Sequence, residues 1–168
     1  MRICTRAGGE PIGKRKKVLF VCTYHGARSL IAEKFIKWSA PGKVDAKSSS
    51  FEPGKIGPLP IAVMQEVGID ITAESPKSVF KRYKDREFYD YVITLCNEAT
   101  AELCPVFKTN VDTLYAEKAQ RINWSIPDFK SLKGTEEEKK AGARVIRDKI
   151  KSEVISFLAR IGIDVETT

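Results

Sequence analysis

Five consecutive residues, Val18-Leu19-Phe20-Val21-Cys22, are apolar without a break, and Lys14, Arg15, Lys16 and Lys17 stand directly before them. A strand with one face in water alternates apolar and polar side chains. This one does not, so it predicts a strand buried on both faces, the kind found in parallel sheets covered on each side by crossover helices. Beyond Cys22 the period changes: Ile31, Phe35 and Trp38 recur at helical spacing and predict a helix over 29–38, behind a tight turn.

The same alternation continues along the chain. Residues 44–48, 91–95 and 120–124 read as further strands, and 58–67 as a helix with Pro58 in its first turn and Gly68 placed to end it. Thr135 followed by Glu136, Glu137 and Glu138 is a capping box. It opens a helix whose apolar stripe runs through Ile146, Ile150, Val154, Phe157, Leu158 and Ile161. Residues 51–60 and 107–118 read as long loops. The expectation is a single α/β domain over residues 17–168: a four-stranded parallel sheet with helices on both faces, behind a basic tail of residues 1–16. In such sheets the working site lies beyond the carboxyl ends of the strands, where Cys22 falls.

Composition narrows the function classes. The chain has 168 residues, 42% of them hydrophobic and 30% charged, and no apolar run reaches the roughly 18 residues of a membrane span. With no apolar leader core at the N-terminus, a cytoplasmic location and no membrane partner are expected. Residues 1–17 hold +5 of the net charge of +7, so the folded part is nearly neutral and nucleic acid is not the expected partner. Cys4, Cys22, Cys96 and Cys104 are too few and too scattered for a disulfide framework. Cys96 and Cys104, eight apart, do not complete a zinc knuckle with Cys22 and His25, so no metal site is expected.

The stretch VCTYHGARS, residues 21–29, leaves two readings of Cys22: a nucleophile beside an oxyanion-binding loop, or a small buried thiol at the end of its strand. A thiol attacks as thiolate, the form that a helix N-terminus and a nearby cation favour. Residues 23–28 (Thr23, Tyr24, His25, Gly26, Ala27 and Arg28) are expected to curl so that their amides converge on a tetrahedral oxyanion at the helix dipole. Arg28 adds a two-pronged clamp, Ser29 a hydroxyl for the sulfur, and Gly26 the freedom for a tight path.

VLFVCTYHGARSLIAEKF resembles the opening of the low-molecular-weight phosphotyrosine phosphatases and of the arsenate reductases that share their fold. The likeness continues through GPLPIAVMQEVGIDITAESPKSV, YDYVITLCNEATAELCP and NWSIPDF, covering most of residues 17–161. It implies that Cys22 is the nucleophile, Arg28 the oxyanion ligand, Ser29 the group that tunes the thiolate and Asp128 the general acid. His25 is the only histidine and lies inside the loop, so a carboxylate has to supply the acid. Asp128 also reads as an ordinary turn aspartate after Pro127. The resemblance further places Glu33, Ser48 and Lys77 in support of the loop, where some relatives hold a potassium ion and others a lysine. A monovalent cation near the loop, or the Lys77 ammonium in its place, is one expectation and a solvated Lys77 after Pro76 the other; no other bound cofactor is expected.

TLCNEATAELCP resembles the thioredoxin-linked arsenate reductases, in which Cys96 would attack Cys22 and Cys104 would then attack Cys96. Arsenate reduction needs two electrons and an external reductant, for which thioredoxin or a similar protein is expected, whereas a phosphatase needs only water. Alternatively, Cys96 is a buried thiol ending its strand and Cys104 is incidental. Within the loop the chain departs from its relatives: His25 stands for the usual Asn, Ala27 for a common Cys, and Phe129 follows the acid in place of Pro. Arsenate reductase is the leading reading and phosphate-monoester hydrolysis the alternative. An oxyanion-binding module without turnover is the third.

Overall fold

A computed structural model describes residues 15–95, 97 and 119–165, with His25 through its backbone. Cys4, Cys96, Cys104, the loop expected over 107–118 and nearly all of the basic tail lie outside the described residues.

The apolar run becomes the centre of the sheet. Strand β1 (Lys16–His25) lies between β2 (Val44–Pro53) and β4 (Tyr91–Leu95), and Val18 through Cys22 are all fully buried. Side chains alternate between two cores: Val18, Phe20 and Cys22 join one, Leu19 and Val21 the other. Burying Phe20 alone contributes roughly 1.5–3 kcal/mol. The first core is closed by helices α1 (Ala27–Ser39), α2 (Pro58–Gln65) and α4 (Glu136–Arg160). Phe20, Trp124 and Phe157 pack through it in a tilted and an edge-to-face contact, with centroid spacings of 5.6 and 6.3 Å. The second core takes Val79 from helix α3 (Val79–Lys84), together with Tyr89 and Val92.

Among the described residues the sheet has five strands, in the order β3-β2-β1-β4-β5 and all parallel, where four were expected. The additional strand, β3 (Lys77–Ser78), pairs with Ser49 and Ser50; two residues are too short to carry any periodicity. β2 also runs five residues past its expected end, and β5 (Gln120–Asn123) stops one residue early, although the Trp124 amide still donates to the Thr94 carbonyl at 2.8 Å. α1 begins two residues before its expected start, and α2 ends two before its expected end, with Gly68 turning the chain at φ +81°. The Thr135 hydroxyl caps α4 by accepting from the Glu138 amide at 3.1 Å, and the stripe from Ile146 to Leu158 is buried as expected. β2 and β4 flank β1 on opposite sides, so the end of β1 is a switch point of the strand order, the place beyond which ligands bind in such sheets.

Candidate active site

The path out of β1 differs from expectation. Residues 22–25 do not curl; they continue the strand, with Tyr24 opposite Glu52 and His25 opposite Pro53. The long β2 supplies backbone partners that keep this segment extended. The turn is compressed into Gly26, whose amide donates to the Tyr24 carbonyl at 2.6 Å and whose φ of +97° favours glycine. A Cβ here would lie 2.5 Å from the Cβ of Pro76, so space as well as conformation demands glycine. The Gly26 carbonyl accepts from the Leu30 amide at 3.0 Å, which starts α1 and puts Arg28 and Ser29 in its first turn.

Cys22 is 0% exposed. Its Sγ lies 3.2 Å from the Ser29 hydroxyl and 3.7 Å from the Tyr24 carbonyl. Ser29 Oγ is itself within 2.9 Å of the Ser49 carbonyl and 3.1 Å of the Gly26 carbonyl. A hydroxyl has one proton, so these two carbonyls and the sulfur compete for it. The Ser50 hydroxyl donates to the Thr23 carbonyl at 3.2 Å, bracing the segment after Cys22 from β2. The Thr23 hydroxyl is buried and has no hydrogen-bond partner among the described residues.

Arg28, 1% exposed, donates through Nη1 to the Ile126 carbonyl at 3.0 Å, and its Nη2 lies 3.9 Å from Asp128 Oδ2. Asp128 is 24% exposed and has two roles at once. Oδ2 faces Arg28, while Oδ1 accepts from the Lys130 amide at 3.3 Å and caps a single 3-10 turn, Phe129–Ser131. A cleft of about 340 Å³ opens beside this pair, walled by Tyr24, Ala27, Leu59, Phe129 and Leu132.

Four of the expected residues, Cys22, Arg28, Ser29 and Asp128, thus converge around the end of β1. Glu33 and Ser48 also meet, the Ser48 hydroxyl donating to Glu33 Oε2 at 2.7 Å. The ammonium at Glu33 is that of Lys37, 2.8 Å from Oε1; Lys77 opens β3 with its side chain exposed. Ser49, Ser50, Pro76 and Ile126 escaped the sequence reading. Three of them act through backbone or ring atoms that leave no residue-type signature, and only the serine run at the end of β2 hints at polar work in a buried strand.

Residues 17–167 match the family model of the low molecular weight phosphotyrosine protein phosphatases. The chain belongs to this family. Among family relatives, an arsenate reductase of Halalkalibacterium halodurans is 30% identical over 143 residues, 85% of this chain and 95% of that one. A glutaredoxin arsenate reductase of Synechocystis sp. is 32% identical over 148 residues, 87% and 98% of the two chains. A solved arsenate reductase in the phosphate binding state superposes with a TM-score of 0.66 at 28% identity, covering 88% of this chain and 99% of that one. The family match therefore extends over all the described strands and helices except Lys16, the first residue of β1.

Proposed function

We propose that this protein reduces arsenate to arsenite, with Cys22 as the nucleophile. The observation that carries the reading is the convergence of the Cys22 thiol, the Ser29 hydroxyl 3.2 Å away, and the Arg28–Asp128 pair at the end of β1, in a chain whose relatives are arsenate reductases.

Cys22 attacks arsenic(V) as the thiolate; an As–O bond breaks and the oxygen leaves as water, taking a proton from Asp128. Arg28 turns from the Ile126 carbonyl to two oxygens of the substrate, as the guanidinium fork allows. By family resemblance, Cys96 then attacks Cys22 Sγ. The S–S bond forms, the electron pair of the S–As bond remains on arsenic, and arsenic(III) departs as arsenite. Attack of Cys104 on Cys96 frees Cys22 and leaves a disulfide for an external dithiol of the thioredoxin or glutaredoxin class. Bridging these pairs requires their Cα atoms to come within about 7 Å.

The cleft favours a second reading. Its walls of Leu59, Phe129 and Leu132 beside Asp128 suit an aryl group, and Cys22 with Asp128 is the machinery for hydrolysing an aryl phosphate through a phosphocysteine. The test is NADPH oxidation on adding arsenate, once with thioredoxin and thioredoxin reductase and once with glutaredoxin, glutathione and glutathione reductase, run beside aryl phosphate hydrolysis on the same sample. Sustained arsenate turnover that is lost in Cys104→Ser supports the reductase. Silence with arsenate, accompanied by aryl phosphate hydrolysis, overturns it in favour of the phosphatase.

A further inference from the structure

Arg82 is buried, a costly place for a guanidinium unless every donor is used. From α3 it reaches under the sheet edge to β2. Nε and Nη2 donate to the Ser48 carbonyl at 3.2 and 3.0 Å, and Nε also to the Ser49 hydroxyl at 2.6 Å. Nη1 donates to Glu87 Oε2 at 2.9 Å, where the Tyr89 hydroxyl donates as well, at 2.7 Å. Partial burial pushes the Glu87 carboxyl up, but the Tyr89 and Arg82 hydrogen bonds and the charges of Arg82 and Lys47 outweigh it and hold it at about 2. Glu87 is therefore an anion at neutral pH and anchors the outer end of the guanidinium.

The inner end grips the Ser48–Ser49 peptide, and the next carbonyl along, that of Ser49, is the one 2.9 Å from the Ser29 hydroxyl. A continuous chain of contacts thus runs from Glu87 through Arg82, Ser49 and Ser29 to Cys22 Sγ. We propose that Arg82 is a positioning residue for the reactive cysteine: by fixing the Ser49 carbonyl it fixes where the Ser29 hydroxyl sits and the distance at which that hydroxyl meets the sulfur. The proposal rests on Cys22 as the nucleophile. Once Cys22 ionises, its charged sulfur takes the Ser29 proton from the two carbonyls; without Arg82 the Ser49 segment shifts, the Ser29 oxygen leaves its 3.2 Å position beside Sγ, and the thiolate loses that donor.

The test reads alkylation of Cys22 by iodoacetamide across roughly pH 5 to 9, where thiolates form, followed by mass spectrometry on the peptide that carries Cys22. Four proteins complete a double-mutant cycle: wild type, Ser29→Ala, Arg82→Met and the pair. Arg82→Met is expected to slow alkylation at neutral pH roughly three- to tenfold, the effect of one modest hydrogen bond, and to move the midpoint of the profile upward. In the Ser29→Ala background it adds nothing. A wild-type profile for Arg82→Met, or equal slowing in both backgrounds, overturns the proposal; a residue that served stability alone gives one of these two results. Where Arg82→Met does not fold, as judged by circular dichroism, Arg82→Lys takes its place in the cycle, keeping the charge but losing the fork, with the same outcomes read. Absence of arsenate turnover in the wild type counts against the reductase reading alone, because the alkylation cycle needs no substrate.

Discussion

Arg28 and Asp128, one hundred residues apart in the chain, face each other with Nη2 3.9 Å from Oδ2. The contact puts the oxyanion ligand and the candidate acid on the same wall of the cleft. It also separates two roles of one carboxylate, since Oδ2 looks at Arg28 while Oδ1 caps the turn at Lys130.

Asp128→Asn keeps an oxygen for the cap and removes the proton donor. Turnover with arsenate is expected to fall about 10²–10⁴-fold, the usual worth of a general acid, with the thermal melt unchanged. Steady-state kinetics with calorimetry checks this, and a drop in stability matching the drop in rate sinks the assignment.

Arg28→Lys retains the charge but not the fork. Phosphate affinity, measured by isothermal titration, is expected to weaken about 10- to 150-fold in Arg28→Ala, matching the roughly 1.5–3 kcal/mol of a hydrogen bond to a charged group, and less in the lysine variant. Equal affinities in all three proteins place the anion elsewhere.

Gly26→Ala is expected to lose about 1–3 kcal/mol to backbone strain at a positive φ, beyond the collision with Pro76. Adding Pro76→Gly removes the ring but not the strain, so urea denaturation should show only part of the loss recovered. Full recovery locates the whole cost in the collision.

Thr23→Val replaces a buried hydroxyl that lacks a partner among the described residues with a methyl of similar shape. Stability is expected to hold or to rise by up to about 1 kcal/mol, because no hydrogen bond is lost and a desolvated polar atom disappears. A clear fall in the urea midpoint reveals a partner for that hydroxyl in the folded protein.

Acid is expected to loosen the molecule at two carboxylates. A hydrogen bond from Arg144 holds Glu66 at about 2; partial burial opposes it, and the charges of Arg144, Lys140 and Arg147 assist. Glu87 is held there as well. Both lie below the ordinary 4.5, so their stabilisation is complete above that value and is lost as pH falls toward 2. Urea midpoints measured down this range should drop in the wild type and drop less in Glu66→Gln. That ion pair, Arg144 Nη2 to Glu66 Oε2 at 2.7 Å, ties α4 to the residue just after α2, so an unaltered pH dependence in the variant removes it from the stability balance.

The sequence made β1, β4 and α4 plain because each carries a full hydrophobic period or an explicit cap. β3 and α3 were not legible: β3 has two residues, and the six residues of α3 are fewer than two turns. The second half of β2 was hidden for a different reason. Ser48, Ser49 and Ser50 are polar yet buried, made tolerable by the bonds to Glu33, Arg82 and Thr23, and no pattern of hydrophobicity predicts satisfaction by partners so far away. At the site, the local spacing of Cys22, Arg28 and Ser29 was readable. The extended course of residues 22–25 was not, because it depends on how far β2 continues alongside.

The brevity of β3 bears on how the molecule behaves in company. β2 meets β3 only at Ser49 and Ser50, leaving the stretch from Val44 to Lys47 without a strand on that side among the described residues. A bare rim of this kind invites another copy to add itself and start a fibril. Here the next acceptor along the rim, the Ser48 carbonyl, is already taken by a guanidinium, and Asp45 and Lys47 place opposite charges just before it. The clamp that orders the interior thereby doubles as a guard against sheet growth, and Arg82→Met should be the variant that turns cloudy first on concentration.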